Sequence, residues 1–195
     1  MNAAMQAVGA QIEYEMPTNL VEFMSLALAI ESEAAQRYAE LADAMEVANN
    51  VEVAELFRRM ANIETRHARA IMAQMRWEDY APPRPTPSYR GEGPETPVSD
   101  DVHYLMQPYQ ALELALACEE RAQRFYADLA RMAGDATVQS AARELEAEER
   151  EHVALVREWL SRVEKPAAMY QAQPGHSVLA ISAIDTIFIT RCWSG

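Results

Sequence analysis

The chain carries the same helical phrase twice. Ala29, Glu31, Ala34, Tyr38, Ala39, Leu41 and Ala42 return 88 residues later as Ala117, Glu119, Ala122, Tyr126, Ala127, Leu129 and Ala130. Each copy is followed by a Glu-x-x-His: Glu64 with His67 in the first, Glu149 with His152 in the second. In both copies the apolar residues recur every three to four positions, the period of an amphipathic helix. A chain built this way is constrained to an all-α fold of two similar helical hairpins.

Punctuation in the sequence sets the hairpins. Helix A is predicted from about Leu20 to Ala48, with Asn19 as N-cap and Glu22 reaching back to it. Asn49 and Asn50 break the pattern, and helix B follows from about Val51 to Trp77. Residues 78–108 are different material, with Pro82, Pro83, Pro85, Pro87, Pro94 and Pro97 crowded around Gly91 and Gly93. No helix survives that spacing of prolines. Helix C starts near Pro108, a first-turn proline, and ends before Gly134 and Asp135, and helix D runs from about Thr137 to Glu164. The A–B and C–D connections are short, which makes each pair antiparallel. The B–C connection has about 30 residues. That is enough to run the whole length of a helix of roughly 42 Å. The expected fold is therefore a four-helix bundle of two antiparallel hairpins joined by a long crossover. The expected division is a lead-in over residues 1–17, the bundle over 18–165 and a hydrophobic tail over 166–195. The tail, from Ser177 to Thr190, is rich in β-branched residues and needs a surface to pack against.

Composition narrows the function. A formal net charge of -13 argues against nucleic acid and against anionic membrane surfaces as partners. The longest apolar run, Val178 to Thr190, is too short to span a membrane and contains Asp185. Cys118 and Cys192 form no disulfide framework and no Cys-x-x-Cys pair, and Met1 to Gln6 do not read as a signal peptide. The expected location is the cytoplasm.

The repeated acids are in the wrong place for surface residues. Glu31 lies at helical spacing from Met24, Ala27, Leu28, Ala34, Ala35 and Tyr38, in the middle of an apolar stripe. Glu119 lies likewise among Leu112, Ala115, Leu116, Ala122, Gln123 and Tyr126. Glu64 and His67 are flanked by Phe57, Met60, Ala61, Ala68 and Ile71, and Glu149 and His152 by Ala142, Leu145, Val153 and Val156, with Glu146 as the one polar exception. Buried carboxylates must be neutralised, paired or bound to a cation. Depth agrees as well. Glu31, Glu64 and His67 stand about 16 to 18 residues from the A–B turn. Glu119, Glu149 and His152 stand about 14 to 17 from the C–D turn, so all six fall in one slab of the bundle. The i, i+3 spacing puts each Glu and His on one face. These six residues are the expected ligands of two metal ions, with the Glu of each Glu-x-x-His bridging and its His terminal. Carboxylate with imidazole favours iron, with manganese the alternative.

Other residues carry less. Tyr38 and Tyr126, two turns beyond Glu31 and Glu119, could hydrogen-bond ligand carboxylates or carry a radical, although such tyrosines are more often core. Glu146 shares a face with Glu149 and reads as a neighbour of the site or as rim. His103 and His176 lack ligand spacing. Met24, Met45, Met60 and Met75 read as core filler, and Cys118 as a small buried hydrophobe.

These motifs resemble the ferritin-like superfamily, and its rubrerythrin branch in particular, over about residues 18–164. The resemblance implies a di-iron centre held by Glu31, Glu64, His67, Glu119, Glu149 and His152, and an enzyme that reduces hydrogen peroxide, or dioxygen, to water. Two departures stand out. Rubrerythrins usually carry a rubredoxin module with two Cys-x-x-Cys pairs, absent here, so the implied electron donor is a separate protein such as a rubredoxin or a reductase. They also usually have a glutamate three residues after the helix C ligand, where this chain has Ala122. That makes the expected site resemble the symmetric one of bacterioferritin. A homodimer is expected, because such bundles often bury a helix face against a second copy. The competing functions are a ferroxidase or other iron-handling protein, and a non-enzymatic helical interaction protein.

Overall fold

Four long helices dominate the described part of the chain. A computed structural model describes residues 16–77, 94–97 and 102–166, together with the backbone of 5–6 and 13–14. The proline-rich stretch 78–93 and the tail 167–195 lie outside the described residues, and with them His176 and Cys192. The chain divides into two compact units, residues 1–164 and 165–195, and the first holds all four helices. It also contains a short antiparallel hairpin, β1 (Met5–Gln6) and β2 (Glu13–Tyr14), in the weakly patterned lead-in.

Helix α1 spans Leu20–Val47. The Asn19 side chain accepts a hydrogen bond from the Glu22 N–H at 3.0 Å, satisfying one of the free donors of the first turn. Glu22 does not reach back to Asn19 as expected. Its carboxylate accepts instead from the N–H and the hydroxyl of Thr18, both at 2.8 Å. Helix α2 spans Val51–Gln74. Both helices close in the same way. Asn49 takes a left-handed backbone, φ 60°, while Asn49 N–H donates to Glu46 and Asn50 N–H to Met45. Arg76, φ 56°, does this for α2, with Trp77 N–H donating to Met72. That turn ends the helix at Gln74, three residues before the expected Trp77, and swings the Trp77 ring into the core. Helix α3 spans Pro108–Met132. Helix α4 spans Ala136–Leu160, capped by Asp135, which accepts from the N–H groups of Thr137 and Val138 at 2.7 and 3.1 Å. It ends four residues short of the expected Glu164, where Ser161 and Arg162 turn away.

Helix α1 packs along α2 and α3 along α4, the two expected hairpins, with lighter contact between α2 and α3 and between α1 and α4. One hydrogen bond fixes how the hairpins relate. The Asn50 side-chain amide donates to the Met106 carbonyl at 2.6 Å. Asn50 precedes α2 and Met106 precedes α3, so the two helix starts lie together and the helices run parallel. The two ends of the crossover, Trp77 and Met106, therefore lie at opposite ends of the bundle. Among the described residues no helix is long and apolar enough to cross a membrane.

The buried side chains fall on both sides of a polar slab. On one side Phe23, Ile30, Ile71, Trp77, Phe125, Tyr126, Leu129, Val138 and Leu145 form a continuous apolar cluster. Leu41, Met45, Val53, Phe57, Leu112 and Val156 are buried in the other halves of the same helices. Met24, Met45 and Met60 are core residues, as expected. The slab between the two halves holds the acids.

Candidate metal centre

Glu31, Glu64, Glu119 and Glu149 come from four different helices and are each no more than 1 % exposed. Each sits on the inner stripe of its helix, where the apolar periodicity of its neighbours holds it. His67 and His152 lie one turn beyond Glu64 and Glu149 on the same faces. Their rings stack against each other at 4.6 Å, only 12° from parallel. His67 Nδ1 stands 3.3 Å from Glu31 and 3.9 Å from Glu64. His152 Nδ1 stands 3.3 Å from Glu119 and 3.5 Å from Glu149. The structure thus brings all six expected residues into one site, with the two halves related as the sequence repeat suggests.

The donor atoms fit two ions. Glu31, Glu64 and His67 bring one ligand atom each within 4.8 Å of one another, and so do Glu64, Glu119 and His152, and His67, Glu149 and His152. Glu64 therefore serves both halves, and Glu149 lies between the two histidines, as bridging carboxylates must. Both oxygens of Glu64, Glu119 and Glu149, one oxygen of Glu31, and Nδ1 of both histidines lack a hydrogen-bond partner. So many buried groups without partners would be costly in a site meant to be dry and empty. Cation binding satisfies them together.

Tyr126 donates its hydroxyl to Glu31 at 3.1 Å, fixing that carboxylate through the oxygen that does not face His67. Burial, and next the Glu31 charge, push the phenol well above its usual range, so Tyr126 stays a donor at neutral pH. Tyr38 does not repeat this on Glu119. Its buried hydroxyl has no hydrogen bond of ordinary geometry and lies near the Cys118 thiol. Cys118 is fully buried and its thiol is pushed up to about 11, chiefly by burial, so it remains protonated. Glu146 is a rim residue, paired with Arg150 at 3.6 Å, and His103 is exposed.

One acid at the site carries no signal in the sequence. Glu95, on the crossover, is 1 % exposed, and its carboxylate lies within 4.8 Å of those of Glu31 and Glu149. The symmetric site expected from Ala122 is therefore corrected: a fifth carboxylate enters from outside the helices. Its setting between Pro94 and Pro97 has no helical period, so only the run of prolines marks the segment at all.

Burial, followed by the Glu119 charge, holds Glu64 and Glu149 well above the usual carboxyl value of 4.5. A carboxyl raised in this way binds its proton more tightly in the folded chain than in the unfolded one. The metal-free fold should therefore lose stability as pH rises from 4.5 through the raised values. Thermal melts in chelator from about pH 5 to about pH 8 should show a falling midpoint. Saturating metal should flatten that slope, because the ions displace the protons.

Two triads that share a glutamate, inside a one-crossover bundle, define a dinuclear carboxylate protein of the ferritin-like kind. The rubrerythrin family model matches residues 22–160. The chain belongs to the rubrerythrin family, a family of di-iron proteins. An uncharacterised conserved protein from Magnetospirillum magnetotacticum is 38 % identical, over 76 % of this chain and 98 % of that one, with a TM-score of 0.58. Rhodobacter capsulatus bacterioferritin, solved with a metal-free dinuclear site and a haem iron, shares the fold at 21 % identity, over 73 % of this chain and 83 % of that one, with a TM-score of 0.50. No curated protein matches the chain.

Proposed function

We propose that this protein is a di-iron oxidoreductase that reduces hydrogen peroxide with electrons from a separate donor protein. The observation that carries the reading is the pair of carboxylate–histidine triads, buried and without hydrogen-bond partners, at the centre of a rubrerythrin-family bundle. Glu31 and His67 would hold one ion and Glu119 and His152 the other, with Glu64 and Glu149 between them. Two iron ions bound there would supply the two electrons that cleavage of the peroxide O–O bond requires.

The rest is done by this chain's own residues. The apolar halves above and below the slab exclude water and keep the carboxylates in a low dielectric, where their charge acts strongly on bound cations. Tyr126 keeps Glu31 in one orientation. The histidine side chains are 17 and 13 % exposed while the four glutamates are sealed, so the oxidant reaches the site beside the stacked imidazoles. The reading takes its electrons from a separate donor, since Cys118 and Cys192 do not supply the two Cys-x-x-Cys pairs of a rubredoxin centre.

Anaerobic loading with ferrous ion, followed in separate samples by hydrogen peroxide and by dioxygen, tests this. Two iron atoms per chain, oxidised faster by peroxide than by dioxygen, is the expected result. Faster oxidation by dioxygen, with iron accumulating beyond two per chain, would replace the reading with ferroxidation. A chain that binds no iron would end both.

A further inference from the structure

The crossover presents four buried residues, Pro94, Glu95, Thr96 and Pro97. They are pinned from helix α3. Arg121 Nε donates to the Pro94 carbonyl at 3.1 Å, and Nη2 donates to the Thr96 carbonyl at 3.0 Å and to the Cys118 sulfur at 3.3 Å. The guanidinium thus grips the backbone on both sides of Glu95. The two prolines fix their own φ and stiffen the strap at its ends. Arg121 leaves the Glu95 carboxylate alone: neither oxygen has a hydrogen-bond partner. What that carboxylate faces instead is Glu31 from α1, Glu149 from α4, and Glu119 and Cys118 from α3. An acid held among acids, with neither a cation nor a donor on its carboxylate among the described residues, must take up a proton or a cation from outside, and a cation satisfies it together with the unpartnered oxygens of Glu31 and Glu149.

We propose that Glu95 is a further metal ligand, a terminal carboxylate that the crossover delivers to the ion held by Glu31 and Glu149. The inference rests on the dinuclear reading of the site and deepens it. Ala122 lies one turn after Glu119 on the same face of α3, is fully buried and offers no donor, so no helix supplies this ligand. Glu95 also changes the charge balance. Four carboxylates neutralise two divalent ions, and a fifth leaves the site one charge negative; with two trivalent ions the site is one charge positive rather than two. The fifth carboxylate therefore favours the oxidised pair and lowers its reduction potential. The strap and the ion hold each other: metal binding fastens residues 94–97 to the bundle, and Arg121 acts as a positioning residue for the ligand.

The test compares the full-length chain with Glu95→Gln and Glu95→Asp. Equilibrium dialysis with manganous ion counts the ions bound and their affinities, and a redox titration gives the midpoint potential of the iron-loaded pair. The expected result is two ions in the wild type. In Glu95→Gln one of the two should bind at least about tenfold more weakly, a loss that even residues outside the ligand set can cause. Its iron pair should also have a higher midpoint potential, and Glu95→Asp should fall between the two. A Glu95→Gln chain that binds both ions with wild-type affinity and potential would overturn the proposal and leave Glu95 a neutral buried acid. A wild type that binds no ion would overturn the dinuclear reading itself, and the two failures are told apart by the wild-type measurement.

Discussion

Replacing Glu64 with leucine should make the metal-free protein more stable while abolishing its ability to hold two ions. Glu64 is fully buried, both its oxygens lack hydrogen-bond partners, and it faces four acids, Glu119, Glu95, Glu31 and Glu149, against one imidazole, His67 at 3.9 Å. In the metal-free fold its desolvation and like-charge repulsion outweigh what the long His67 contact returns. Replacing buried charged groups by hydrophobic residues of similar volume often stabilises by about 1–4 kcal/mol. For a chain of 195 residues that corresponds to roughly 2–4 °C of melting temperature per kcal/mol. Leucine is close to glutamate in size and would extend the apolar cluster next to Ile71 and Ala68. Metal binding should respond in the opposite direction, because Glu64 serves both triads. The loss should exceed the roughly 10–100-fold that outer partners of a metal site cause. Calorimetric melting in chelator, paired with metal analysis after loading, checks both signs. A lower melting temperature for the leucine variant would mean that Glu64 supports the fold in its own right, and the site would then be structural.

Saturating the wild-type chain with manganous ion, which is not oxidised under these conditions, should raise its melting temperature by about 8–16 °C. A ligand present at about a thousand times its dissociation constant stabilises by about 4 kcal/mol when it binds only the folded state. The site meets that condition. Its donors come from four helices and a strap, so the unfolded chain cannot assemble them. The rise should depend on metal concentration and vanish in Glu64→Leu. It should also shrink at acid pH, where protons compete for Glu64 and Glu149. An unchanged midpoint across a wide range of metal concentration would count against any metal function.

Much of this protein is written in its periodicity. The helical repeat places Glu31, Glu64, Glu119 and Glu149 on inward stripes. The counts from each turn place them at one depth, because a helix converts residue number into distance at a fixed rate. Asn19, Asn49 and Asp135 mark helix ends through local hydrogen bonds, and local chemistry is legible in a one-dimensional string. What the sequence alone could not settle depends on contacts between residues far apart in the chain. The repeat makes Tyr38 and Tyr126 look equivalent, yet only Tyr126 bonds a ligand carboxylate, at a partner 95 positions away. The parallel arrangement of α2 and α3 rests on Asn50 meeting Met106. Glu95 belongs to a segment without period, so nothing local says whether it faces water or the core. Its position is decided by Arg121, whose guanidinium hydrogen-bonds carbonyls 25 and 27 residues back along the chain. Periodic elements declare their buried faces in sequence; a loop acquires one only when the tertiary structure offers its backbone a partner.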